Sequence, residues 1–169
     1  MNIVIREAKP SDAEQLIAFV QRLSEEPGID IELSAGEFTL TTAEEQKILA
    51  DSVLSENSVY LLAETDGRII GVAICNGRNR KAARHMTILG ISVDRSWRGK
   101  GIGRQLMAKV IERARSTGVV SRIELFVFAR NKRAIHLYQE FGFEIEGCRR
   151  KAIFKDGEYL DDLVMALLL

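Results

Sequence analysis

The segment 94-DRSWRGKGIGRQL-106 decides the fold class of this 169-residue chain. It combines three alternating glycines with three basic residues, namely Gly99, Gly101, Gly103, Arg98, Lys100 and Arg104. Glycines let the backbone approach a ligand closely, and the free N–H groups and dipole at a helix start attract an anion. The segment therefore predicts a loop, between a strand and a helix, that binds phosphate or pyrophosphate. The alternative explanation is a tight strand-to-helix turn with cations on its surface.

Two other phosphate-binding motifs fit this segment less well. A P-loop requires Ser or Thr after its Gly-Lys pair, where this chain has Gly101 after Lys100. A dinucleotide motif G-x-G-x-x-G that starts at Gly99 places Arg104 where its last glycine belongs. Glu124 follows at a distance suitable for a carboxylate that binds ribose, but the motif before it is incomplete.

The hydrophobic pattern on either side indicates a strand–loop–helix unit. A strand is predicted over 84–93, and from Gly101 apolar residues recur at helical spacing until Gly118. Along the whole chain the same patterns predict the order β-α-α-β-β-β-α-β-α-β-β, an α/β (α+β) fold with a mixed sheet and helices on its faces. No linker interrupts the pattern, so we expect one domain over 1–169.

Two helix starts are predicted from capping boxes, in which two side chains three residues apart cap each other's backbone N–H groups. Ser11 with Glu14 opens the first helix, and Thr42 with Glu45 opens the second. The residues 26–40 between these helices are irregular in pattern and predict a loop.

The composition is that of an ordinary globular protein, with 46% hydrophobic and 28% charged residues. The formal net charge is zero, which argues against a nucleic-acid partner. Residues 12–66 lean acidic and residues 78–104 lean basic. This division favours a site for an anion beside a site for a cation, although two solvated charged faces explain it equally well.

The cysteines and histidines predict no metal site. Cys75 and Cys148 have no metal-ligand spacing, and we expect both as small buried side chains in a reducing cytoplasmic setting. The two histidines, His85 and His136, are not spaced as ligands of one ion. No apolar run has the length of a signal peptide or a membrane span, so no membrane partner is expected.

A second motif accompanies the glycine-rich segment. Residues 98–103 match R/Q-x-x-G-x-G/A, and 131-NKRAIHLYQEFGF-143 matches N-x-x-A-x-x-L-Y-x-x-x-G-F. With these motifs the chain resembles the GNAT superfamily of N-acetyltransferases over nearly its whole length. The segment 146-EGCRRKAIFKDGEYLDDLVMALL-168 looks like the end of the amino-acid and ribosomal-protein acetyltransferase branches. The resemblance implies a mostly antiparallel sheet whose central strands splay apart around the co-substrate acetyl-CoA.

The resemblance also implies which residues hold acetyl-CoA. Backbone groups of Ile91, Ser92 and Val93 would pair with the pantetheine arm, and Asn131 would bind near it as a helix cap. The pyrophosphate would be held by the backbone N–H groups of Arg98, Gly99, Lys100, Gly101, Ile102, Gly103 and Arg104.

Tyr138 is the implied general acid, which would protonate the departing thiolate and contribute roughly 10²- to 10⁴-fold in rate. Its alternative role is that of a core aromatic.

The carboxylate bases familiar in the family are absent, since Thr87 and Phe126 occupy their places. His85 and Glu124 are the candidate proton acceptors, because histidine titrates near neutral pH and Glu124 lies two residues before Phe126. A surface histidine at a strand end explains His85 equally well.

The missing carboxylate favours a weakly basic acceptor. Removing a proton at pH 7 costs about 1.4 kcal/mol for an α-amine and about 4.6 kcal/mol for a lysine amine. Acidic residues in 25–40 (Glu26, Asp30, Glu32, Glu37) and basic residues in 149–160 (Arg149, Arg150, Lys151) would together suit an amino acid. The expected activity is therefore acetyl transfer to a primary amine of a small molecule, by direct attack in a ternary complex.

Two alternatives remain open at this point: acetylation of a protein N-terminus, and a non-catalytic sensor of acyl-CoA. Homodimerisation is also an expectation, through an apolar edge at 163-LVMALLL-169. A buried core strand accounts for the same run.

Overall fold

The structure is a computed structural model and describes residues 2–169. These residues form seven strands and four α-helices joined by turns and loops. In chain order they are β1 Val4–Glu7, α1 Ala13–Ser24, α2 Thr42–Val53, β2 Val59–Thr65, β3 Arg68–Gly77, β4 Met86–Val93, α3 Ile102–Thr117, β5 Arg122–Phe128, α4 Lys132–Glu140, β6 Glu144–Lys155 and β7 Glu158–Leu168. Short 3-10 turns lie at Pro10–Asp12, Lys81–Ala83 and Arg95–Trp97. This element order is the predicted one, which confirms the α/β fold class.

The strands form one sheet in the order β1-β2-β3-β4-β5-β7-β6. Only the β4–β5 pair is parallel among residues 2–169, and the other neighbouring pairs are antiparallel. Alternate residues of a strand face opposite sides of a sheet, so each side buries its own core. Leu61 packs in the cluster that contains α3, and its neighbour Leu62 packs against α1 and α2 on the other side. Burial of a leucine side chain of this kind contributes roughly 1.5–3 kcal/mol.

The sheet opens between β4 and β5. Their pairing runs from Met86 opposite Arg122 to Leu89 opposite Leu125 and ends there. Beyond that point, β4 continues to pair with β3, and β5 continues to pair with β7. The two strands therefore diverge while each keeps its outer neighbour, which confirms the predicted splayed centre.

The predicted helix caps need correction. Thr41 and Glu44, one residue earlier than predicted, form the capping box of α2: the Thr41 hydroxyl accepts from Glu44 N at 3.3 Å, and the Glu44 carboxylate accepts from Thr41 N at 2.8 Å. Thr41 rather than Thr42 has the extended backbone that an N-cap requires. The predicted box of Ser11 with Glu14 is wrong, because Ser11 lies inside a 3-10 turn.

Two further expectations change because of the strand order. Cys75 is buried as predicted, but Cys148 is exposed because β6 forms the edge of the sheet. The apolar run 163–169 is not an edge, since β7 lies between β5 and β6 and buries Met165 and Leu167. A buried strand thus explains this run, and homodimerisation stays a prediction. Among residues 2–169, no helix is both long enough and apolar enough to cross a membrane.

Candidate active site

A cavity of about 710 Å³ lies where β4 and β5 diverge. Residues 98–104, which we call the glycine loop, line it with every residue except Lys100, and Asn131 and Tyr138 of the α4 region line it as well. Three acidic residues, Asp30, Glu32 and Asp162, also line the cavity. The cavity is therefore lined by residues of both the acidic segment 12–66 and the basic segment 78–104.

The free side of β4 presents backbone groups to this cavity. Asp94 N donates to Ile70 O of β3 at 2.9 Å, and hydrogen-bonding direction alternates along a strand. The backbone groups of Ile91 and Val93 therefore face the gap, and those of Ser92 face β3. Ser92 lines the cavity, but its backbone groups are directed to β3. Only Ile91 and Val93 could therefore form the predicted backbone pairing with an extended ligand.

The glycine loop has the backbone that an anion site requires. Gly99 and Gly101 have φ angles of 81° and 80°, which only glycine adopts without strain. Gly101 is the N-cap of α3 and has no side chain to satisfy the first helical N–H groups. Gly103 allows close contact with α4, because a Cβ there would lie 3.4 Å from a Leu137 methyl group. The predicted strand–loop–helix unit is confirmed, and its free N–H groups begin at the cavity wall.

The basic side chains of the loop are engaged by protein groups. Arg98 donates to Val93 O at 2.9 Å and forms a two-pronged ion pair with Glu26. The Lys100 ammonium lies 4.6 Å from the centre of the Trp97 ring and does not line the cavity. These contacts occupy the charged ends of both side chains and leave the backbone N–H groups of the loop free of them.

Arg104 lines the cavity and pairs with Glu140 at 2.5 Å. It thereby ties the start of α3 to the end of α4. Its positive charge is thus already paired with a carboxylate.

Asn131 and Tyr138 face the same cavity from α4. The Asn131 side chain accepts from Ala134 N at 3.1 Å and so caps the helix. Tyr138 is only 7% exposed and packs in the core, with its ring centre 5.9 Å from that of Phe143. Burial raises the pKa of Tyr138 to about 12, because desolvation disfavours the phenolate. Both of its predicted roles, core aromatic and protonated phenol at the cavity, fit this placement.

Two acidic residues of the cavity wall lie beside the Arg149 side chain. Asp162 is buried, and the Arg149 guanidinium donates to both of its carboxylate oxygens, with an Nε–Oδ1 distance of 2.8 Å. That contact is the main cause of the raised pKa of Arg149. The same guanidinium lies 4.2 Å from the Phe126 ring centre and 3.9 Å from a Glu32 oxygen.

A family model described as "Acetyltransferase (GNAT) family" matches residues 23–143. This chain belongs to that family. The L-amino acid N-acetyltransferase AaaT of Escherichia coli is 39% identical over 106 residues, which is 63% of this chain and 65% of AaaT. The match thus spans just under two thirds of that relative's own length.

Two solved structures share the fold of this GNAT protein. An acetyltransferase of the GNAT family from Streptococcus pneumoniae is 34% identical, with a TM-score of 0.96 over 99% of this chain and 100% of that one. YncA from Salmonella typhimurium, solved with its cofactor acetyl-CoA, is 23% identical, with a TM-score of 0.86 over 100% of this chain and 95% of that one. At 23% identity the likeness to YncA shows the fold alone.

The predicted proton acceptors of this GNAT protein lie outside the cavity wall. His85 is exposed, immediately before β4. Glu124 lies opposite Ile88, in the part of β5 that still pairs with β4, and accepts a hydrogen bond from Arg122 at 2.7 Å. The structure brings neither side chain to Tyr138, and their roles stay predictions.

Arg133 is a site residue that the sequence analysis missed. It lines the cavity from the first turn of α4, and one guanidinium nitrogen lies 3.4 Å from the point that a Cβ on Gly99 would occupy. Within residues 2–169 it forms no ion pair with a carboxylate, unlike Arg98 and Arg104. The sequence offered one signal for this role: Arg133 lies two residues after Asn131, at a variable position of the second motif.

No group of three or more His, Cys, Asp or Glu residues in 2–169 is arranged to hold a metal ion in this GNAT protein.

Proposed function

We propose that this chain transfers the acetyl group of acetyl-CoA to a primary amine of a small molecule, an amino acid or a related amine, by direct attack in a ternary complex. The observation that carries the proposal is one cavity lined both by the glycine loop and by the acidic residues Asp30, Glu32 and Asp162. The names of two similar proteins support it: AaaT is an L-amino acid N-acetyltransferase, and YncA has acetyl-CoA as its cofactor.

The residues of the cavity fit acetyl-CoA. The N–H groups of the glycine loop and the Arg133 guanidinium suit a pyrophosphate, which favours a helix start and a nearby cation. The backbone groups of Ile91 and Val93 suit the amides of a pantetheine arm, and Asn131 lies beside the same path. When bound, acetyl-CoA supplies a thioester whose carbonyl carbon the amine attacks and whose sulfur leaves as a thiolate.

Tyr138 is the proton donor of this proposal. With a pKa of about 12 its phenol stays protonated at neutral pH. The same burial raises the basicity of a thiolate beside it, because desolvation disfavours both anions. A hydrogen bond from the phenol to sulfur therefore strengthens as the negative charge develops.

The acceptor amine must lose a proton, and the cavity wall favours amines that lose it easily. Asp30 and Glu32 both interact with arginines: Asp30 with Arg130 at 2.8 Å, and Glu32 with Arg149 at 3.9 Å. Both carboxylates therefore already have a cationic neighbour. His85 and Glu124 would act only through intervening water, since neither lines the cavity.

A thiol-release assay tests the proposal, with acetyl-CoA and a panel of amino acids, polyamines, aminoglycosides and short peptides between pH 6 and 9. We expect turnover with free amino acids. Turnover with peptides alone would point to a protein N-terminus, and acetyl-CoA binding without turnover to a sensor. Absence of acetyl-CoA binding would contradict the assignment of the glycine loop.

Gly101→Ala supplies a loop variant for this assay, and Gly67→Ala is its matched control. Both glycines have positive φ angles, 80° and 75°, so a methyl group strains both backbones similarly. Gly67 lies in the turn between β2 and β3, away from the cavity. We expect acetyl-CoA affinity to fall only in Gly101→Ala.

A further inference from the structure

We propose that Lys155 is a positioning residue for the acceptor: its ammonium group holds residues 29–33 in the conformation that forms one side of the cavity. The inference rests on the proposed function, because it assigns that side to the acceptor amine.

Lys155 lies at the end of β6, and only 8% of the residue is exposed. Its Nζ donates to the backbone carbonyls of Ile29 and Ile31 at 2.9 Å each, and to that of Leu33 at 3.3 Å. An ammonium group has three donors, so these three carbonyls satisfy it completely. Within residues 2–169, no carboxylate oxygen lies within 4.0 Å of this nitrogen.

The use of carbonyls makes the contact selective for one backbone conformation. A carboxylate on a flexible side chain follows its partner when a loop moves. Three carbonyls from alternate residues converge on one nitrogen only when the backbone between them has a single arrangement. Any other arrangement leaves a buried charge short of hydrogen bonds, which is costly.

The segment that Lys155 holds has no regular structure of its own. Residues 25–41 join α1 to α2 without helix or strand, so external contacts must determine their path. Within this segment, Asp30, Ile31 and Glu32 line the cavity. The segment thus depends on β6 for the placement of the residues that would meet the acceptor.

Two arginines also reach this segment, but they hold side chains and not the backbone. Arg130 bridges Asp30 and Glu158, and Arg149 lies near Glu32. Both arginine side chains are more than 40% exposed, and exposed ion pairs contribute little. Lys155 is the buried contact among the three, so we expect it to dominate the order of the segment.

Lys155→Met tests the proposal, because it keeps an unbranched apolar stem as far as Cε and removes the ammonium group. Lys47→Met is the matched control, since Lys47 is an exposed lysine that pairs with Asp51 on the surface of α2. Three quantities are measured for each: amide hydrogen exchange in residues 29–34, the KM of the acceptor, and the Kd of acetyl-CoA.

In Lys155→Met we expect exchange in residues 29–34 to accelerate about tenfold, since its rate reports local opening. The acceptor KM should rise about tenfold through misplacement, and the Kd of acetyl-CoA should stay within about twofold. Lys155→Arg should show smaller increases in both the exchange rate and the acceptor KM, because a guanidinium group also donates to several carbonyls. Lys47→Met should match the wild type.

An unchanged exchange rate in residues 29–34 of Lys155→Met would overturn the proposal. A rise in the Kd of acetyl-CoA as large as the rise in the acceptor KM would also overturn it, because it would indicate a general loss of stability. If Lys155→Met does not fold, Lys155→Gln replaces it and must exchange faster than Lys155→Arg. If the wild type turns over no acceptor, the proposed function fails, and exchange still decides whether Lys155 holds the segment.

Discussion

Arg98 of the glycine loop and Glu26, two residues past the end of α1, form a two-pronged ion pair across 72 residues of sequence. The Nη2–Oε2 distance is 2.7 Å, and the Glu26 side chain is only 13% exposed. The same guanidinium also donates to the Val93 carbonyl of β4. One arginine therefore connects the glycine loop, the free end of β4 and the segment that precedes α2.

Glu26→Ala should lower the free energy of unfolding by about 1–3 kcal/mol, because it leaves a partly buried guanidinium without its carboxylate. Urea denaturation measures the loss. Asp51→Ala, which breaks an exposed pair with Lys47, is the control and should cost less than about 0.5 kcal/mol. Equal losses in the two variants would show that the Arg98–Glu26 pair is energetically an ordinary surface pair.

Tyr138→Phe should lower kcat about 10²-fold or more, because it removes the proton that the departing thiolate needs. The Kd of acetyl-CoA, measured by calorimetry, should change by less than about twofold, since the ring and its packing remain. Tyr159→Phe, which alters an exposed tyrosine of the closing hairpin, is the control. Turnover at the wild-type level in Tyr138→Phe would exclude this residue as the acid.

The pH profile should rise without a falling limb up to pH 9. An acid must carry its proton to act, and Tyr138 with a pKa of about 12 keeps that proton throughout this range. The acceptor amine loses its proton as the pH rises, so kcat/KM should climb about tenfold per unit below the pKa of the amine. Initial rates at saturating acetyl-CoA measure this profile. A decline between pH 8 and 9 would point to an acid with a lower pKa.

Arg133→Gln should raise the Kd of acetyl-CoA about tenfold and weaken its dependence on salt, because the variant removes a cation beside the anion-binding loop. Titration at two ionic strengths measures both effects. Arg115→Gln near the end of α3, outside the cavity wall, is the control. An unchanged Kd in Arg133→Gln would assign anion binding to the loop backbone alone.

Gly90→Val should reduce kcat/KM for the acceptor while the protein keeps its stability. Gly90 lies in β4 at the cavity wall, and a Cβ there would meet no atom within 4 Å. Valine favours strands, so the fold tolerates it, but its side chain occupies space at the cavity. Steady-state kinetics with Gly90→Ala and Gly90→Val should show a graded loss. A loss of thermal stability in parallel would attribute the effect to folding.

Local features were predictable because they depend on residues close together in sequence. Gly99 and Gly101 lie in the predicted loop between a strand and a helix, and Asn131 caps α4 as expected. The α2 capping box was misplaced by one residue, since Thr41 and Thr42 offer the same hydroxyl and only the backbone angles distinguish them.

The sequence by itself determined the element order, the glycine loop and the motif that carries Tyr138, since each rests on hydrophobic periodicity or on contacts within a few residues. Only the tertiary structure decided which side chains meet at the cavity. It exposes His85, places Glu124 beside Arg122, and brings Lys155 to carbonyls 122 to 126 residues away. The physical reason is that such contacts join residues far apart in the chain and depend on how the segment after α1 packs against β6, which no local pattern encodes.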